Sequence, residues 1–264
     1  VPEIRSLTAD VTNDAGLIRV KELEAELRDG SFVSIAGSSA DLRKGISAAL
    51  KAKFDLHDFS LLAKDLKGNA SGTVDGTFSM KGEGFAADLR GLKVTGSLMD
   101  LPLTADAALS ASFGKDLTFS VRKLLLQSGS NTVEASGTDK DLAVRLSLPA
   151  IEKLWPDAKG SVSGKISVKG GMKDPVVNAE IDIPLLRTAG IEVSGGSVRA
   201  ESLKPMQKSG TLAVTASSLV AGGQDIRPDL RFSGTEKSHE LTLSALSDLL
   251  TLRLAAAGGV KGDE

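Results

Sequence analysis

The stretch ISAALKAKFDL, residues 46–56, decides the architecture. Ile46, Ala48, Leu50, Ala52, Phe54 and Leu56 fall on one side of an extended chain, with Ser47, Lys51, Lys53 and Asp55 on the other. A period of two is the pleat of a β-strand with one apolar and one wet face. The same alternation returns in Leu142, Val144, Leu146 and Leu148 against Arg145 and Ser147. It returns in Leu117, Phe119 and Val121 against Thr118, Ser120 and Arg122. Val162, Ile166 and Val168 alternate with Ser161, Ser163, Lys165, Ser167 and Lys169. Leu212 and Val214, Leu241 and Leu243, then Leu250, Leu252 and Leu254 continue it.

Turn chemistry separates these runs: Arg28-Asp29-Gly30-Ser31, Ser128-Gly129-Ser130-Asn131, Gly195-Gly196 and Gly222-Gly223. Glycine reaches the positive φ that tight turns need. A spacing of about 10–15 residues suits antiparallel meanders, so the reading is all-β with some sixteen to eighteen strands. Two short helices are expected to interrupt the sheet. One spans His57–Lys67, with Phe59, Leu62 and Leu66 at helical spacing and Asp58 or Ser60 as N-cap. The other spans Pro149–Asp157, with Ile151, Leu154 and Trp155, Pro149 in its first turn and Pro156 ending it.

The chain also repeats itself. Leu7-Thr8-Ala9-Asp10 recurs as Leu103-Thr104-Ala105-Asp106. Val33, Gly37, Asp41 and Leu42 recur 100 residues on as Val133, Gly137, Asp141 and Leu142. Gly72, Gly76 and Gly82 recur as Gly160, Gly164 and Gly170. Gly137-Thr138 and Lys140 find a third echo in Gly234-Thr235 and Lys237. This divides the chain into units at 1–102 and 103–200 and a truncated unit at 201–264. Repetition of this kind points to an elongated, quasi-one-dimensional stack rather than a compact domain with one pocket.

Composition narrows the function classes. With eight Phe, one Trp and no Tyr among 264 residues, an aromatic sugar site or an RNA-stacking surface is disfavoured. Net charge is −2 with both signs interspersed, and no basic stripe marks a nucleic-acid partner. Cysteine is absent, which removes disulfides, thiolate metal sites and a cysteine nucleophile. No run approaches the roughly 18 apolar residues of a spanning helix, so any anchor is expected outside this fragment.

No catalytic or metal constellation stands out. His57 and His239 lie far apart in unlike contexts and read as cap and surface residues. Glu22, Glu24 and Glu26 share one strand face and read as a solvated edge strand that discourages aggregation. Gly72/Gly76 and Gly160/Gly164 spell Gly-x-x-x-Gly among Ser, Thr, Asp and Lys, so they read as sheet turns or bends. No cofactor is implied and no enzyme activity is expected.

Residues 148–181, LPAIEKLWPDAKGSVSGKISVKGGMKDPVVNAEI, resemble the TamB family, the inner-membrane component of the translocation and assembly module. The family belongs with the AsmA-like proteins of Gram-negative bacteria. The likeness rests on a short Leu-rich segment, a Trp-Pro stop, the spaced glycines and Asp174-Pro175-Val176-Val177. A second such phrase is Gly210-Thr211-Leu212-Ala213-Val214, followed by Gly234, His239, Leu241 and Leu243. The first repeat departs from the pattern, with Gly84-Phe85 where a proline is expected. The resemblance implies a taco-like sheet with an apolar groove, in a periplasmic segment of a longer protein anchored in the inner membrane. It implies an outer-membrane barrel partner of the TamA type. The implied activity is phospholipid transfer between the membranes, in support of outer-membrane protein insertion.

The apolar residues assigned to that groove are Leu50, Phe54, Phe78, Met80, Val144, Leu146, Ile166, Val168, Val214, Leu243 and Leu252. They would hold phospholipid acyl chains, on a path of the order of 80 Å at ~4.8 Å per strand. The same pattern also describes the sealed core of a structural or adhesive β-solenoid. A polysaccharide-active β-helix enzyme would need a cluster of carboxylates and aromatics on one face, and the chain has neither.

Overall fold

The computed structural model describes residues 3–43, 45–61, 67–155, 157–171, 173–235 and 237–259. The fold is all-β, with eighteen strands among the described residues, paired antiparallel. The chain divides into two compact units, Val1–Gly129 with Glu134–Thr138, and Ser130–Val133 with Asp139–Glu264.

The first unit contains β1 (Ile4–Asp14), β2 (Leu17–Leu27), β3 (Phe32–Asp41) and β4 (Ile46–Leu56). It continues with β5 (Gly68–Lys81), β6 (Gly84–Leu98), β7 (Leu101–Phe113) and β8 (Leu117–Ser128). Each strand pairs with the next in a plain meander. β9 (Asn131–Thr138) lies at the division between the units.

The second unit contains β10 (Asp141–Leu148), β11 (Ala158–Lys169), β12 (Val176–Thr188) and β13 (Ile191–Lys204). Then come β14 (Ser209–Thr215), β15 (Ser218–Ala221), β16 (Gln224–Thr235), β17 (Ser238–Leu246) and β18 (Thr251–Gly258). β14 and β15 act as one interrupted strand, both pairing with β13 on one side and β16 on the other.

Among the described residues the second expected helix shrinks to a single 3-10 turn at Ile151–Lys153, the first is described only as far as the 3-10 turn Phe59–Leu61, and a third turn stands at Pro205–Gln207. One turn makes too few backbone bonds to propagate a helix, and a single apolar anchor suffices to seat it. Those anchors are Phe59 and Ile151, both buried. Asp58 does cap the first turn, accepting from the Ser60 amide at 2.8 Å. Leu62, Leu66 and Pro156 lie outside the described residues.

Three further expectations change. β2 is paired on both sides, by β1 and β3, so Glu22, Glu24 and Glu26 stand on an interior strand rather than an edge. Gly72, Gly76, Gly160 and Gly164 lie inside β5 and β11 rather than at turns. A Cβ on Gly72 would stand 2.3 Å from the Lys93 carbonyl oxygen and 2.7 Å from the Phe54 ring, so only glycine fits. Gly195-Gly196 is not a turn either. It sits within β13, where Gly195 at φ +56 reverses the side-chain alternation. Val193 and Val198, an odd number apart, thereby reach the same apolar face.

An extra residue bends other strands of the first unit along one line. Between paired rows, β2 carries an extra residue relative to β1, β3 relative to β4, β6 relative to β5, and β8 relative to β7. Each such bulge kinks its strand and increases local twist. On the polar side, basic residues at these bulges pair with aspartates of the preceding strand: Arg90 with Asp75, and Lys123 with Asp106 at 2.6 Å. Arg122 reaches one strand further, to Asp88.

Little of the chain is buried. The buried hydrophobics among the described residues are Phe59, Ala70, Ala107, Ile151, Ala158 and Ala200. The accessible surface is 16541 Å², against roughly 13,000 Å² for even two separate compact domains of half this mass.

Candidate lipid-contacting face

In an antiparallel ladder, directly paired residues project from the same face. Following the pairs therefore traces what each face presents. In the first unit one row runs Leu7, Ala25, Val33, Phe54, Gly72, Val94, Ala105, Leu126 across all eight strands of the meander. Beside it run Ala9, Leu23, Ile35, Ala52, Val74, Leu92, Ala107 and Leu124. Neither row contains a polar side chain.

The second unit is built alike. Leu146, Gly164, Ile181, Val198, Val214, Leu230, Leu243 and Leu254 form one row from β10 to β18. Val144, Ile166, Ala179, Ala200, Leu212, Phe232, Leu241 and Ala256 form the next. The opposite face carries Arg145, Lys165, Glu180, Arg199 and Arg231 in a matching row.

All eleven residues assigned to a groove stand on these apolar faces. Leu50, Phe54, Phe78 and Met80 share the first unit's face, where Leu50 pairs with Gly76, Phe78 with Ala48 and Met80 with Ile46. The other seven share the second unit's face, where Val144 pairs with Ile166, Val168 with Leu142 and Leu252 with Ala245. None of the eleven is buried; Leu50 is 41% exposed, Phe78 39%, Met80 40% and Leu252 42%. In the first unit this side holds a concavity of about 480 Å³ bounded by Ile18, Val20, Ile35, Leu50, Phe78 and Leu89.

The polar side is also concave but chemically different. A hollow of about 630 Å³ in the first unit is floored by Ser39, Ser47, Thr77, Ser79 and Ser110 beside Arg122. One of about 450 Å³ in the second is lined by Arg145, Lys165, Glu180 and Arg199. Ion pairs tune this face: Arg187 holds the Glu192 carboxyl below its ordinary range, and Arg231 does the same to Asp229. Among the described residues, no group of three or more His, Asp or Glu is placed to hold a metal ion. His57 stands with its Nδ1 3.0 Å from the Asp29 carbonyl, and His239 is half-buried with its ring 6.2 Å from that of Phe232. Among the described residues no helix is long and apolar enough to cross a membrane.

Sequence reading missed the polar latches at the sheet corners. Asn131, 2% exposed, donates to the Ala150 carbonyl at 3.0 Å and accepts from the Ala150 amide at 3.1 Å. Ser31, fully buried, accepts from the His57 amide at 2.9 Å and donates to Asp29 at 2.7 Å. The signal was available: Ser31 and Asn131 are 100 residues apart, the offset of Val33 and Val133. Each latch pins the segment leading into a 3-10 turn, and so fixes where the apolar rows end.

The family model for the N-terminal domain of TamB matches residues 2–264. The chain is 22% identical over 247 residues to the translocation and assembly module subunit TamB of Haemophilus influenzae. That match covers 91% of this chain and 19% of the relative, so the chain spans about a fifth of that protein's length. No solved structure matches the chain. With the family model covering the chain from residue 2 to its last residue, the chain belongs to the TamB family.

Proposed function

We propose that this chain is a segment of a lipid-transfer conduit, which moves phospholipid between the inner and outer membranes and thereby supports assembly of outer-membrane proteins. In this reading it lies in the periplasm, within a longer protein anchored in the inner membrane, and works with an outer-membrane barrel of the TamA type. It carries lipid without chemistry and without a cofactor. The name of the Haemophilus relative, a translocation and assembly module subunit, supports the assembly role.

One observation carries the proposal: apolar rows cross every strand of the first unit's meander, and the large side chains assigned to the groove are unburied. An acyl chain leaving a bilayer loses about 0.8 kcal/mol per methylene unless it meets apolar surface. Interchangeable Leu, Ile and Val on successive strands supply that surface without one deep trap. A sealed solenoid would bury such residues, and exposures near 40% at Leu50, Phe78 and Met80 favour the open reading. Residues 1–102, 103–200 and 201–264 are then repeats of the conduit. Corresponding burial at Phe59 and Ile151, and at Ala70 and Ala158, supports the first two.

Site-specific photocrosslinking in cells tests this. A photoreactive residue at Leu50, Phe78, Ile166 or Leu243 is expected to trap phospholipid, and one at Lys51 or Lys165 on the other face is not. Equal trapping from both faces, or from neither, contradicts the proposal.

A further inference from the structure

The two ends of the strands in the second unit differ. At one end lie the β10–β11, β12–β13, β15–β16 and β17–β18 connections, brought together by the pairs Ala158↔Thr188, Ile191↔Ala221 and Arg227↔Leu246. This end presents Trp155 at 59% exposure, Leu249 at 81% and Leu250 at 66%. The opposite end presents Lys173, Lys208 and Lys237 at its turns, with Met206 as its one large exposed apolar residue among those described. Turns normally carry polar residues, so a chain that places its single Trp and a Leu pair at turn tips requires a reason.

Neither tip is a loose loop. Ser247 donates its amide to the Leu250 carbonyl at 2.9 Å, and its Oγ accepts from the Leu249 and Leu250 amides at 3.3 and 3.0 Å. Leu249 is thus held outward by its own turn. The Trp155 amide donates to the Ile151 carbonyl at 2.9 Å, and the Trp155 carbonyl accepts from Ala158 at 3.0 Å. Buried Ile151 fixes this turn from beneath, while the indole stays outside.

We infer that this end of the second unit docks on a lipid bilayer, with Trp155, Leu249 and Leu250 entering the headgroup–acyl boundary. Trp combines an apolar body with an N–H donor and favours that boundary. Rigid tips bearing Trp and Leu insert there as the apolar face of an interfacial helix does. The tips are about six strands, roughly 30 Å, apart along the sheet. Between them lie the short turns Ala189-Gly190 and Gly222-Gly223. Separate projections with low ground between them do not make the contiguous patch that a protein partner needs, and a fluid surface meets each independently. Charges near this end balance: Lys153, Lys159, Arg187, Arg227 and Arg253 stand with Glu152, Asp157, Glu192, Asp225 and Asp248, the last beside Leu249 in its turn. The contact is therefore apolar and indifferent to headgroup charge. It stands apart from the conduit reading, since it uses turn tips and not the sheet face.

Trp155, as the only Trp, reports on the contact directly. The chain is mixed with phosphatidylcholine vesicles, with and without phosphatidylglycerol. The expected result is a blue-shifted Trp155 emission, protection from acrylamide and cosedimentation with vesicles, unchanged by phosphatidylglycerol. Leu249→Ser with Leu250→Ser should cut partitioning tenfold or more while leaving the fold intact, because both side chains are already exposed. The inference is overturned by any of four results. These are no shift and no cosedimentation; a shift without cosedimentation, which means lipid withdrawn into the chain; protection that appears with protein concentration alone, which means a second copy; or vesicle binding that the double variant leaves unchanged.

Discussion

Arg122 donates to Asp88 at 2.6 Å and, with the same guanidinium nitrogen, to the Leu89 carbonyl at 2.9 Å. It stands at the bulge of β8 and reaches across β7 to the bulge of β6, so it ties two kinks of the first unit together from the polar side. The pair is 44% and 37% exposed, which keeps its worth near that of a surface ion pair. Arg122→Met is expected to lower unfolding stability by about 1 kcal/mol, measured by urea denaturation. A loss several times larger would mean the bulge line, and not the apolar rows, dominates stability.

Asn131 carries more. Its amide satisfies both backbone groups of Ala150 in a site closed to water. Asn131→Ala leaves an N–H and a C=O unpaired and should cost about 2–4 kcal/mol in the same assay. A cost below about 1 kcal/mol would show that water enters the corner.

Two glycines with similar φ should respond differently to alanine. Gly37 has φ +60 with nothing near its missing Cβ, so Gly37→Ala should cost about 1–2 kcal/mol of backbone strain alone. At Gly195, φ +56, a Cβ would stand 2.5 Å from the Ser217 Oγ, so Gly195→Ala adds a clash and should cost more than Gly37→Ala. Equal losses would mean Ser217 moves aside freely.

The Asp29 carboxylate accepts from the Ser31 hydroxyl at 2.7 Å and the Ser31 amide at 3.0 Å, and these bonds hold its pKa below the ordinary aspartate value. A carboxyl whose pKa is lower folded than unfolded stabilises fully above the unfolded value, and the effect fades as pH falls through the folded value. Amide-exchange protection at Ser31 and His57 should therefore hold from neutral pH to about pH 5 and decline only below about pH 4. Asp29→Asn should abolish that acid-dependent step. A decline already well above pH 5, or one that Asp29→Asn leaves in place, would contradict this assignment.

The strands were legible because alternation survives without context: Ile46–Leu56 and Asp141–Leu148 read directly as β4 and β10. Helical spacing at Ile151, Leu154 and Trp155 misled because so short a segment between two strands is seated by one buried side chain, Ile151. Gly195-Gly196 misled because a positive φ serves a face reversal inside a strand as well as a turn. The bulges leave a faint trace. Val20-Lys21-Glu22-Leu23, Leu89-Arg90-Gly91-Leu92 and Val121-Arg122-Lys123-Leu124 each space apolar residues by three, with a basic residue between. That interruption looks like noise until the register shows that both flanking apolar residues share one face. The orientation of the eleven apolar residues followed from period two. Their exposure did not, since it depends on whether another layer covers the sheet.

The central claim is that the apolar face meets lipid. Mass spectrometry of lipids extracted from the purified chain, with a closed β-solenoid purified in parallel, tests it most directly. The account predicts phospholipid well above that control, and a Phe78→Glu variant that stays folded while its retained lipid falls. A lipid-free chain that melts cooperatively, and unfolds when Phe78 becomes charged, would contradict it.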